Sequence, residues 1–170
     1  MSGGVSQTML RRIPHRTNGL SSSQRSGAVL VENALVCSVF GIFLAGIMEL
    51  GHAYMVMNTM NAAVKRAARY GSTDGISTAQ TKEFVNQIIN SAFDSSKATV
   101  VIKDGSTFDT GNMNASNINY DSLPDLELLE AKRQQMFIVR ATVPYNSVAL
   151  LPPFWVRNAT LKAQAVTRHE

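Results

Sequence analysis

The sequence predicts an α+β protein in which a long N-terminal transmembrane helix runs on into a small antiparallel sheet domain. Three observations predict it. The run Ala28 to Met48 is apolar with Glu32 as its only charge, and about 20 apolar residues span a bilayer. No proline or turn cluster follows until Gly71-Ser72, so nothing stops the helix at the membrane face. Beyond it, three short β-branched or alternating stretches have the character of strands. The chain divides accordingly into residues 1–27, a basic leader; 28–50, the membrane helix; 51–71, its extension outside; and 72–170, an extracytoplasmic α+β domain.

The leader holds Arg11, Arg12, Arg16 and Arg25 and no acid, so it carries the whole net charge of +4. The remaining residues balance 12 acidic side chains against as many basic ones. The basic segment contains no aromatic residue and leads directly into the apolar run, so it reads as a cytoplasmic anchor rather than a nucleic-acid contact. Lys65, Arg66 and Arg69 lie well beyond the span, which leaves the N-terminus on the cytoplasmic side. A secretory signal peptide has the same basic-then-apolar order, but the exit MELGHAYMVMNTMN lacks a small-x-small cleavage site.

After the span, Ile47, Leu50, Tyr54, Met57, Val64 and Ala68 keep three-to-four spacing, which predicts the helix face that packs on the domain. Met48, Met55, Met57 and Met60 add an adaptable apolar surface expected to join that core. Glu49 falls where the helix leaves the lipid and reads as a solvated interfacial acid, with a subunit contact as the alternative. Lys65, Arg66 and Arg69 close the helix where cations favour its dipole. Small residues at Ala34, Ser38, Gly41 and Ala45 fall on one side of the helix, where they permit close helix packing in lipid.

In the outer domain, Ser77-x-x-Gln80 is a capping box opening a helix whose apolar face is Phe84, Val85, Ile88, Ile89 and Ala92. Residues 98–103, 137–145 and 159–167 are the strands, the first ended by the turn signal Asp104-Gly105. Residues 104–122, rich in Asn, Ser, Asp, Thr and Gly, form a surface loop, and a short helix is expected over 124–135. The apolar stretch 148–155 is broken by Pro152 and Pro153 and reads as a packed loop or an exposed contact. The triplets starting at Asn114 and Asn158 fit a glycosylation pattern that arises readily by chance.

Cys37 is the only cysteine, so no internal disulfide forms. His15, His52 and His169 are far apart and lack metal-ligand spacing. With no nucleophile–base arrangement, phosphate loop or paired carboxylates, the sequence points away from an enzyme, a metal or a cofactor.

An acid inside a membrane helix is costly and calls for a partner or a function. Read alone, Glu32 is an acid at the cytoplasmic membrane edge. Its context is RSGAVLVE, four residues after a Gly-Ala junction. Cleavage between Gly27 and Ala28 removes the basic leader and makes Glu32 the fifth residue of a chain beginning with a free ammonium. Two opposite charges leaving water together cost far less than either alone.

A basic leader ending in Gly, an apolar helix and Glu as its fifth residue resemble type IV pilins and pseudopilins. More closely, the segment from Arg25 to Gly71 resembles the TadE-like family of tight-adherence (Flp-type) pilus assembly proteins. The shared features are R-x-G at the cut site, V-E-x-A-L-V, an apolar run ending in E-x-G, and an A-x-x-x-A-A-R-Y-G exit. Asn33 departs from the aromatic residue usual after that acid. The resemblance implies a pilin-like fold, cleavage by a prepilin peptidase, and a minor-pilin or pseudopilin role. It also implies partners: other pilin and pseudopilin subunits, the pilus assembly machinery and the bilayer. The setting implied is the bacterial cytoplasmic membrane. The alternatives are a pseudopilin of a type II secretion apparatus and a membrane-tethered extracytoplasmic binding or sensory domain.

Overall fold

The computed structural model describes residues 22–110 and 119–170. Most of the basic leader, the middle of the 104–122 loop and the Asn114 triplet lie outside the described residues. Helix α1 covers Ser22–Gly71, α2 covers Thr78–Ile89, and strands β1 (Thr99–Asp104), β2 (Met136–Pro144) and β3 (Thr160–Arg168) follow. The chain forms two compact units divided between Ile42 and Phe43.

In the first unit every side chain from Gly27 to Ile42 is exposed. A helix apolar all round has no face to offer a water-borne core and suits a lipid environment. Helix α1 is the one described helix long and apolar enough to cross a membrane by length and composition.

The second unit is built on a three-stranded antiparallel sheet of order β1-β2-β3. The strands fall on the segments that the alternation marked. Register puts Ile102, Val139 and Ala165 in one row across the sheet and Val100, Ala141 and Ala163 in the next. Phe137, Val139, Ala141, Val143, Leu161 and Ala163 share a core with Ala53, Val56, Met60, Ala63, Val64, Ala67 and Ala68 of α1. Val56, Met60 and Val64 are fully buried, each worth about 1.5–3 kcal/mol relative to exposure.

The buried stripe of α1 is therefore not the one its spacing suggested. Val64 and Ala68 belong to it, but Ile47, Leu50, Tyr54 and Met57 are exposed. More than one line along this helix has three-to-four spacing. The buried line instead combines the small residues Ala53, Ala63, Ala67 and Ala68 with Val56, Met60 and Val64, and shares its core with Ala141 and Ala163 of the sheet. Of the methionine surface only Met60 reaches the core; Met48, Met55 and Met57 stay exposed.

Helix α2 starts at the expected capping box. The Ser77 hydroxyl accepts from Gln80 N at 3.1 Å, and Ser77 N donates to Gln80 Oε1 at 2.9 Å. Val85 and Ile89 are buried, with Phe84 and Ile88 packed beside them. The helix expected over 124–135 does not form; only Leu128–Glu130 makes a 3-10 turn. The segment is instead an extended strap. Asp104 N donates to Pro124 O at 2.9 Å, Lys103 pairs with Asp125 at 2.9 Å, and Leu128 N donates to the Thr78 hydroxyl at 2.9 Å. Bonds to β1 and α2 satisfy its backbone, so they override local helix propensity. The Glu127 carboxylate accepts from Thr78 N at 2.9 Å, and this backbone bond holds its pKa below the usual glutamate range.

The second face of β2 is also covered. Ile138 and Arg140 are buried there, with the Arg140 guanidinium 5.1 Å from the Tyr120 ring centre.

Helix α1 ends in close contact at Gly71. A Cβ there would stand 2.9 Å from Leu128 Cδ1 and 2.9 Å from Thr81 Oγ1, and Thr81 is itself fully buried. Gly71→Ala should therefore destabilise the protein by about 1–3 kcal/mol, the usual cost of overpacking. Denaturant unfolding of the detergent-solubilised chain checks this, with Gly75→Ala unsuitable as a control because Gly75 has a φ of +82°.

Candidate functional site

The most organised polar feature of the second unit is centred on Glu49. Pro152 and Pro153 have no N–H, and the three amides that follow them converge on one carboxylate. Phe154 N donates to both Glu49 oxygens at 3.1 Å, Trp155 N to Oε2 at 3.1 Å, and Val156 N to Oε1 at 2.6 Å. Successive backbone amides turned inward make a ready anion site, and here the anion is a side chain of α1. Glu49 is 7 % exposed, so the expectation of a solvated acid is corrected. The amides take the place of water around the carboxylate.

The same turn of α1 is held from a second direction. The Tyr145 hydroxyl donates to the Glu49 carbonyl oxygen at 3.0 Å, and His52 Nδ1 lies 3.4 Å from that hydroxyl. Burial, and then the nearby Glu49 charge, push the Tyr145 hydroxyl above the ordinary tyrosine range, which keeps it a donor. Trp155 completes the arrangement. A Cβ at residue 46 would lie 3.3 Å from two atoms of its ring, so Gly46 is what lets the indole lie against the helix. Trp155, Phe43, Gly46, Ile47 and Leu50 line a shallow apolar groove of about 220 Å³. Asn158, at a φ of +60°, turns the chain after this segment. Its amide is engaged in a reciprocal pair with Asn146 at 2.8 and 3.0 Å.

The residues singled out from sequence sit elsewhere along α1. Gly27 and Ala28 are exposed within the helix, and Glu32 is exposed one turn after Ala28. Ala34, Ser38 and Gly41 are exposed, and Ala45 is half-buried. The Ser38 hydroxyl donates to the Ala34 carbonyl at 2.8 Å, the local bond that such residues make in apolar helices. Among the described residues no group of three or more His, Cys, Asp and Glu side chains is placed to hold a metal ion.

The described residues thus hold one helix long and apolar enough to cross a membrane, and it continues into an α+β unit. A family model described as TadE-like protein matches residues 27–69. That segment, which contains Gly27, Ala28, Glu32 and Glu49, is similar to TadE-like proteins. No curated protein and no solved structure matches the chain.

The amides that hold the Glu49 carboxylate are more than 100 residues away, which is why sequence reasoning missed them. A proline pair ahead of three free amides was the only local signal. Glu49→Ala leaves those amides without their acceptor. Hydrogen exchange at Phe154, Trp155 and Val156 should then quicken by roughly an order of magnitude or more, while the amides of β2 keep their protection.

Proposed function

We propose that the chain is a non-enzymatic, membrane-anchored minor pilin or pseudopilin that takes part in assembling a tight-adherence (Flp, type IVb) pilus. One observation carries this reading. A Gly27-Ala28 junction stands four residues before Glu32 at the start of a TadE-like segment covering residues 27–69. In this reading a prepilin peptidase removes the basic leader and leaves the N-terminus of the mature helix in the cytoplasmic membrane with the outer domain extracytoplasmic. The new Ala28 ammonium, or that of a neighbouring subunit, pairs with Glu32. The small residues Ala34, Ser38, Gly41 and Ala45 support packing against other pilin subunits, within the pilus assembly machinery.

A type II secretion pseudopilin shares this processing chemistry. A simple tether for a binding or sensory domain does not, because its helix needs neither a cut nor a charge partner. Intact-mass measurement of the chain recovered from membranes of cells with an active prepilin peptidase should find a mature form beginning at Ala28. Recovery of the uncut chain alone would reject the processing.

Glu32→Ala separates assembly from insertion. Removing the carboxylate takes a costly charge out of an apolar helix, so membrane abundance should hold or rise. The same change strips an ammonium of its counter-charge, and piliation should fall about tenfold or more, a loss that corresponds to about 1.4 kcal/mol or more in association. Glu32→Gln, which keeps the shape without the charge, should behave alike. Normal piliation in both variants would favour the tether.

A further inference from the structure

The 148–155 segment leaves a set of large apolar side chains facing outward that the core does not use. Leu150 is 77 % exposed and Phe154 75 %, with Leu151 and Trp155 about half exposed. No charged residue occurs between Tyr145 and Val156, and the first to follow is Arg157. The backbone here is also unusual in what it offers to solvent. Residues 152 and 153 are prolines without an N–H, and the amides of 154, 155 and 156 all donate to Glu49. From Pro152 to Val156 the backbone donors are therefore absent or satisfied, and apolar side chains on such a stretch suit a medium poor in water.

The position of the segment identifies that medium. Trp155 lies against Gly46 and lines a groove with Phe43, Ile47 and Leu50. Phe43, Gly46 and Ile47 are among the last residues of the apolar run that begins at Ala28, and Leu50 lies just beyond it, where the chain leaves the lipid. Tryptophan is enriched at that level of a bilayer, and an arginine just beyond can reach lipid phosphates.

We propose that Leu150, Leu151, Phe154 and Trp155 form a second membrane contact. The loop dips into the lipid interface beside the exit of α1, and Glu49 clamps it there. The outer unit is then held to the bilayer at two points rather than by one helix, which fixes its depth and tilt. This inference rests on the reading of α1 as a membrane span, and the test separates the two.

Trp155 and Cys37 are the only tryptophan and the only cysteine, so each reports one site without engineering. The full chain is reconstituted in phosphatidylcholine–phosphatidylglycerol vesicles. Lipids brominated high on the acyl chain should quench Trp155 severalfold more than lipids brominated deep, and aqueous iodide should quench it little. Cys37 should resist a membrane-impermeant maleimide. Leu150→Ser combined with Phe154→Ser should reduce the bromolipid quenching and leave Cys37 protected.

Three results would overturn the proposal. If Cys37 is protected while iodide, and not bromolipid, quenches Trp155, the loop stands in water and the span survives alone. Should neither quencher reach Trp155, protein covers the loop and the partner is another chain. Labelling of Cys37 removes the span itself, and the second contact with it.

Discussion

The second unit depends on the seating of one stripe of α1 against one face of a three-stranded sheet. A three-stranded sheet has little area of its own to bury, and the strands obtain a core only by sharing one with a helix. The stripe from Ala53 to Ala68 supplies it, together with α2. Val56, Met60 and Val64 are its fully buried large side chains, with alanines on both the helix and the sheet around them. Everything else in the unit is arranged around that contact. The 124–128 strap ties α2 to β1, and Gly71 lets Leu128 and Thr81 close over the end of the helix.

Glu49 solves a different problem, which is how to fix the height of the sheet along the helix. Apolar stripes slide at small cost, since one alanine is much like the next. A carboxylate gripped by three amides, with a tyrosine on its own carbonyl, does not slide. The polar clamp therefore specifies the register that the apolar contact leaves loose. Buried polar groups are best attested in that kind of role. The clamp also explains why two prolines precede the amides: they stiffen the approach and offer no competing donors.

How much of this was legible in the sequence depended on the range of the interaction. The Ser77–Gln80 capping box is settled within four residues and was read correctly. The three strands carry their own pattern, and all were found within a residue or two. The strap at 124–135 was misread as helix because its bonds run to Asp104, Lys103 and Thr78, none of them nearby in sequence. The phase of α1 was misjudged because more than one line along the helix has three-to-four spacing, and the strands that select one of them lie far off in sequence. Glu49 was given the wrong surroundings, since nothing near it in sequence announces Phe154, Trp155 and Val156. At Gly27, Ala28 and Glu32 the legible signal is covalent spacing, which a single folded chain neither adds to nor removes.

The order of the elements along the chain has a consequence in time. The stripe of α1 is complete at Ala68, but the strands that cover it end at Arg168, about 100 residues later. At roughly 5–20 residues per second of synthesis, that stripe waits about 5–20 s for its cover. During this interval the helix presents apolar side chains with no sheet to receive them. A chain stopped before β3 lacks the part of that cover supplied by Leu161 and Ala163.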